Sequence, residues 1–209
     1  TDLQDYFLQE CDQIPLDKLP KWLAGAITKL CKDAAPTAFG LALGYVFDQQ
    51  KDYINASSTN VMEEMAGIAD GICTPTGKNA TIPALCSDKR EVLDTVHHVN
   101  MLPELVQMQC SMMGAWGSAT PDGKLTQLRT LDFGGGPFAD RSMLMVHHPT
   151  DTSIPFASLS FPGFVGIVTG FSKDLAQSEK VDDVTDGKRP NGSYDGQAVA
   201  MVIRDMVQL

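Results

Sequence analysis

The feature that most constrains this chain is a change in the spacing of its apolar residues near residue 109. Before that point the spacing is helical. Leu19, Trp22, Leu23, Ile27 and Leu30 recur at intervals of three and four and predict one apolar stripe on a helix over 19–30. Residues 38–54 read as a second helix. Ser57 or Ser58 is placed to cap a third, in which Val61, Met62, Met65, Ile68 and Ala69 repeat until Gly71 stops it. Asp88 is placed to cap a fourth that runs through Val92 and Val96. After residue 109 the spacing is that of strands. Residues 110–119 and 125–133 flank the turn signal Pro121-Asp122-Gly123 and predict a β-hairpin. Further strands are expected over 142–147, 156–161, 165–170 and 175–181. A polar loop with Asp182, Asp183, Asp186, Gly187 and Pro190 then leads to a helix over 196–209.

The expected class is therefore α+β, with a helical part over 1–109 and a strand-rich part over 110–209. No internal repeat is evident. A few strands and one helix leave apolar sheet faces uncovered, so the domain is expected to be incomplete within these residues. The first residue, Thr1, is neither an initiator Met nor part of a signal-peptide pattern, so something upstream is expected to have been removed or omitted.

Charge and cysteine usage narrow the function classes. The formal net charge of -10 disfavours a nucleic-acid partner, since neutralising phosphates requires clustered Lys and Arg. No apolar run reaches the roughly 18 residues of a membrane span. Sequons for N-glycosylation stand at Asn55, Asn79 and Asn191, which points to a secreted or lysosome-like lumenal protein. Of the five cysteines, Cys11 and Cys31 flank a helical stretch, and Cys73 and Cys86 flank a polar loop. Two local disulfides would leave Cys110 as the odd thiol; five reduced, buried thiols are the alternative, because spacing does not define connectivity.

Several other signals are weak. Gly134-Gly135-Gly136 follows a strand, but no Gly-Lys-Ser/Thr comes after it, so it reads as a connection and not a phosphate loop. The acidic run 182–187 fails as a calcium loop, with Val184 at its third position and Ser193 at its twelfth. The pairs His97-His98 and His147-His148 lack the one-face spacing of zinc ligands and read as surface or loop histidines. The methionines Met101, Met108, Met112, Met113, Met143 and Met145 read as core filler. No metal and no cofactor are expected.

The segment at Cys110 carries more. The run Cys110-Ser-Met-Met-Gly-Ala-Trp-Gly-Ser-Ala-Thr-Pro-Asp-Gly-Lys124, followed by Leu128-Arg-Thr-Leu-Asp-Phe133, resembles the nucleophile hairpin of the N-terminal-nucleophile (Ntn) cysteine hydrolases. That group includes acid ceramidase, N-acylethanolamine acid amidase and isopenicillin N acyltransferase-like proteins. A second block, Phe161-Pro-Gly-Phe-Val-Gly-Ile-Val-Thr-Gly-Phe171 with Ser178-Glu-Lys-Val181 after it, is similar to the family's later strands. Upstream, Met65-Ala-Gly-Ile-Ala-Asp-Gly71 resembles its pro-region helix. The resemblance covers roughly 60–209.

It implies a helical pro-region over 1–109, the α subunit after cleavage, followed by the start of an αββα sandwich over 110–209, the β subunit. The two fragments are expected to stay associated. It implies that Cys110 is the nucleophile, that Gln109–Cys110 is the self-cleaved bond, and that Arg129, Asp132 and Glu179 are catalytic. The expected substrate is a small-molecule or lipid amide. Thr130 stands where the family usually has Asn, a departure that bears on substrate contact. The family's later oxyanion Asn has no counterpart in these 209 residues.

The chemistry suits these residue types. A thiol attacks only as thiolate, and in this class the base is the cysteine's own α-amine, with an ordinary pKa of about 7.7 to 8. While Gln109 is attached that nitrogen is an amide and accepts no proton. Arg129 would hold the thiolate and depress the amine, and Asp132 would fix the amine or the Arg by charge-assisted hydrogen bonds. Three residues apart on a strand, Arg129 and Asp132 face opposite sides, so a bulge or the strand end is expected to bring them together. Two competing readings are a conventional Cys-His hydrolase pairing Cys110 with His147 or His148, and an inactive, uncleaved homologue acting as a secreted binding or structural glycoprotein.

Overall fold

The structure, a computed structural model, describes residues 11, 14, 16–33, 35–56, 60–74, 85–105, 109–132, 141–179 and 196–208. The chain up to residue 105 forms helices: α1 (Lys21–Asp33), α2 (Ala35–Ala56), α3 (Val61–Cys73), α4 (Lys89–Asn100) and the single turn α5 (Leu102–Leu105). Leu19, Leu23 and Ile27 bury at successive fourth positions and meet Phe39, Leu43 and Val46 of α2, Val61 and Met65 of α3, and Val92 and Val96 of α4 in one core. Each large apolar side chain so buried contributes about 1.5–3 kcal/mol. Trp22 departs from the expected stripe. It sits one residue, and therefore about 100° of helix rotation, from Leu23, and is 72% exposed.

Disulfides Cys11–Cys31 and Cys73–Cys86 tie the chain before α1 to α1, and the end of α3 to the 3-10 turn Leu85–Ser87 that leads into α4. The expected pairing is thus present. Asp88 caps α4, its Oδ1 accepting from the Arg90 N–H at 2.8 Å. Helix α3 begins after Asn60, Ser57 and Ser58 lying outside the described residues, and it runs past Gly71 to Cys73. Its exit is closed by Thr74, whose hydroxyl donates to the Asp70 carbonyl at 2.7 Å.

The second part is β-rich. Strands β1 (Gln109–Gly117) and β2 (Gly123–Asp132) form the expected hairpin, turning through Gly117 and Gly123 at positive φ. Strands β3 (Met143–His147), β4 (Phe156–Ser160), β5 (Thr169–Ser172) and β6 (Ala176–Ser178) form a separate antiparallel sheet in chain order. Helix α6 (Val199–Gln208) follows. The class is α+β, as expected.

The strand expected over 165–170 begins only at Thr169. Phe164, Val165, Ile167 and Val168 are buried without ladder partners, and a buried backbone must find its hydrogen bonds elsewhere. The Phe164 N–H goes to the Phe161 carbonyl, the Ile167 N–H to the Ala200 carbonyl, the Val168 carbonyl accepts from Glu179, and Asn100 takes the Val165 N–H. Fully buried at the end of α4, it accepts from the Val165 N–H at 2.8 Å and donates to the Gly163 carbonyl at 2.9 Å.

Side-chain alternation gives the β3–β6 sheet two distinct faces. Phe156 on one face packs with Ile167 and with Ile203 and Val207 of α6. The other carries Leu144, Leu159, Thr169, Phe171 and Ser178 towards the hairpin. Among the methionines named above, Met101 is core, whereas Met112, Met113 and Met143 are exposed on the strands; Met108 lies outside the described residues. No helix among the described residues is long and apolar enough to cross a membrane.

Candidate active site

Cys110 is the second residue of β1, buried, and the cysteine outside both disulfides. In the hairpin register it faces Leu131, while Met112 faces Arg129. Arg129 is therefore the diagonal neighbour of Cys110 on the same face, within reach of a long side chain. Its Nη2 donates to Cys110 Sγ at 2.9 Å. Its Nη1 donates to Thr169 Oγ1 on β5 at 3.1 Å, so one guanidinium bridges the hairpin and the second sheet. One pair along β2, Gln127 Nε2 donates to Ser178 Oγ on β6 at 2.8 Å.

Glu179 follows Ser178 and is buried, its N–H donating to the Val168 carbonyl at 2.8 Å. Burial lifts its carboxyl to about 7, with Arg129 pulling it down and Glu104 pushing it up. Glu179 Oε2 and Arg129 Nε are both buried without a hydrogen-bond partner among the described residues. Glu104, on α5, accepts from the Val199 N–H at 2.7 Å and from Gln50 at 3.2 Å, and burial raises its pKa also. Of the expected site residues, Cys110 is thus hydrogen-bonded to the Arg129 guanidinium, and Glu179 interacts with its charge.

Asp132 pairs in register with Gln109, and its side chain, like that of Gln109, lies outside the described residues. The register irregularity of the hairpin falls at Ala115/Gly117, not between Arg129 and Asp132, so the expected bulge is absent there. Thr130 faces Ser111, exposed, on the side of β2 away from Arg129.

An open groove of about 630 Å³ starts at Arg129 and Gln127 and runs between Leu125 of the hairpin and Leu144, Leu159 and Phe171 of the sheet. Its far wall is apolar and its near end cationic. His147 lies on the opposite face of the same sheet, stacked on Phe156 at 4.2 Å and 3.5 Å from Ser158 Oγ. It borders a polar cavity of about 390 Å³ with Glu64 and Arg204. His148 is exposed. The geometry does not favour the Cys-His pairing.

His97 and His98 are not surface or loop residues. His97 is buried in α4, stacked on Phe47 at 4.1 Å, and His98 is half-buried against Gly44. Burial lowers both pKa values, Asp94 partly opposing it. Of the sequons, Asn55 is exposed near the end of α2; Asn79 and Asn191 lie outside the described residues, as does the acidic run 182–187. Among the described residues no group of His, Cys, Asp and Glu is arranged to hold a metal.

Polar links across residues 109 and 110 were not evident in the sequence. Arg204 of α6, buried, donates from Nη1 to Glu64 of α3 at 2.7 Å and from Nη2 to the other oxygen of the same carboxylate. Nη1 also donates to the Val165 carbonyl at 2.8 Å. Neither Glu64 nor Arg204 belongs to a motif, so only their mutual placement distinguishes them from ordinary helix-surface charges.

Comparison with known proteins gives two relatives, both from Dictyostelium discoideum. Protein dcd1A is 33% identical over 201 residues, which is 92% of this chain and 39% of that protein. Protein dcd1B is 36% identical over 118 residues, 54% of this chain and 23% of that protein. The chain thus spans well under half the length of the curated relatives it matches. No family model matches, and no solved structure matches.

Proposed function

We propose that this chain is part of a self-processing N-terminal-nucleophile cysteine hydrolase that cleaves before Cys110 and then hydrolyses a linear amide. One observation carries the reading: the cysteine left outside both disulfides stands at the start of the hairpin with a guanidinium hydrogen-bonded to its sulfur. That bond holds the sulfur against a fixed positive charge at the place where the reading needs its nucleophile. The Ntn likeness of the Cys110 and Phe161 segments supports the same reading.

In this scheme Cys110 Sγ attacks the Gln109 carbonyl, and water then releases the upstream fragment as its carboxylate. The freed α-amine becomes the base. For an amide substrate the thiolate attacks the carbonyl, the amine leaves with a proton, and water resolves the acyl-enzyme. Glu179, with a carboxyl that titrates near neutrality, is suited to carrying a proton beside Arg129. The fragments on either side of the cut stay associated through the Glu64–Arg204, Glu104–Val199 and Asn100–Val165 bonds. Two disulfides and the exposed Asn55 sequon accord with a secreted or lumenal compartment.

Intact-mass analysis before and after acidification, beside a Cys110→Ala control, tests the reading. A fragment beginning at Cys110 and absent from the control is expected. A chain that stays whole in both samples, with no hydrolysis across a panel of amides, overturns it.

A further inference from the structure

We infer that Thr169 is a positioning residue, whose hydroxyl keeps the Arg129 guanidinium turned onto Cys110. The inference rests on the hydrolase reading for its purpose, though not for its test. A guanidinium is a rigid fork, so anchoring one Nη aims the other. In this site Thr169 Oγ1 holds Nη1 and Cys110 Sγ takes Nη2.

The anchor is itself well fixed. Thr169 and Ser178 are direct cross-strand partners on β5 and β6, and Arg129 and Gln127 are two apart on one face of β2. The two hydrogen bonds, Arg129 to Thr169 and Gln127 to Ser178, are therefore consecutive rungs of one clamp between hairpin and sheet. Gly170, next to Thr169, leaves no slack. A Cβ there would lie 2.7 Å from Ile167 Cγ2 and 3.1 Å from the Ala157 carbonyl oxygen, so the strand is seated tightly on its neighbours. The branched Cβ of Thr169 adds a stiff χ1.

Arg129 also has somewhere else to go. Its Nε and the Oε2 of Glu179 are both buried and unpartnered among the described residues, and the two side chains feel each other's charge. A turn of the guanidinium towards the Glu179 charge would withdraw it from the sulfur. Thr169 opposes that turn. Among the described residues, Arg129 bonds the sulfur, Glu179 interacts with the Arg129 charge, and Glu104 from α5 with that of Glu179.

The test is thiolate absorbance at 240 nm as a function of pH, with Cys110→Ala as the blank and both disulfides intact. Thr169→Val and Thr169→Ala are each compared with Thr169→Ser, and far-UV circular dichroism checks the fold. Two replacements are used so that one which fails to fold does not end the experiment. The midpoints of the Val and Ala variants are expected to move from the parent's towards that of Arg129→Ala, and the midpoint of the Ser variant to stay with the parent's. Folded Val and Ala variants that titrate with the parent, while Arg129→Ala shifts, overturn the inference: Arg129 would then act without Thr169. The measurement needs neither cleavage nor turnover, so a chain that never cuts at Gln109 counts against the hydrolase reading alone.

Discussion

Arg129 Nη2 lies 2.9 Å from Cys110 Sγ, although the residue opposite Arg129 in the hairpin is Met112 and not Cys110. The contact is diagonal, made by the length of the arginine side chain and by the anchoring of its other nitrogen on a different sheet. Under the hydrolase reading this contact holds the attacking sulfur against a cation. Arg129→Ala is expected to slow appearance of the Cys110 fragment by about 100-fold, the loss typical of removing one aimed donor. Arg129→Lys keeps a charge but not the fork that holds Thr169 and Cys110 together, so an intermediate loss is expected. Timed mass spectrometry reads both, and equal rates in all three chains would remove Arg129 from the chemistry.

Glu179 makes stability depend on pH. Its carboxyl rises from 4.5 to about 7 on folding, so the folded chain prefers it protonated. That contribution is fully present below about 4.5, is lost as pH rises, and is gone above about 7, with a size on the order of 3 kcal/mol. Glu179→Gln is expected to flatten this part of the stability profile in urea titrations between pH 4.5 and 7. Parallel profiles would mean that the carboxyl is solvated.

His97 acts in the opposite direction. Burial lowers its pKa, so its contribution is present above its ordinary value of 6.5 and is lost as pH falls through the depressed one. His97→Phe keeps the stack on Phe47 and removes the titration. Thermal melts from pH 7 to 4.5 are expected to show a smaller acid loss in the variant than in the parent.

Arg204 is nearly inaccessible, whereas Glu64 is partly exposed. Removing the carboxylate strands a buried cation that, among the described residues, keeps hydrogen bonds to Val165 and Gln208 and the Phe156 ring beside it. Glu64→Ala is expected to cost about 2–3 kcal/mol, discounted for the exposure of Glu64. Equilibrium unfolding in urea checks this, and a cost under 0.5 kcal/mol, the range of ordinary surface changes, would show the pair to be solvated.

Gly166 tests the seat of α6. A Cβ at that position would fall 2.8 Å from Ala200 Cβ and 3.1 Å from the Phe164 ring, neither of which is a flexible chain end. Gly166→Ala is expected to destabilise by about 1–3 kcal/mol. Gly25, in the middle of α1 with open space around it, is the control: Gly25→Ala is expected to stabilise by about 0.5–1 kcal/mol. Thermal denaturation of both variants decides whether the contact or the backbone governs.

What the sequence determined by itself is local. Helical spacing before residue 109 and alternation after it, the Asp88 cap, the hairpin around Pro121-Asp122-Gly123 and the short-range disulfides were all legible, because each depends on residues a few positions apart. Likeness of the Cys110 segment to a known hairpin also brought Arg129 into consideration, and likeness of the later block brought Glu179. Tertiary structure decided the rest. Trp22 belongs to a helical stripe by count but lies outside the core. His97 reads as a surface residue and is buried. The strand expected from Val165 starts four residues later, its backbone bonds taken instead by Asn100, 65 positions earlier, and by Ala200, Arg204 and Glu179, which follow it. Thr169, Gln127 and Ser178 are unremarkable in the sequence and become a clamp only when β2 faces β5 and β6. The reason is the same throughout: periodicity tells which residues share a face, but the packing of one face on another sets which side chains meet and which charges lose their water.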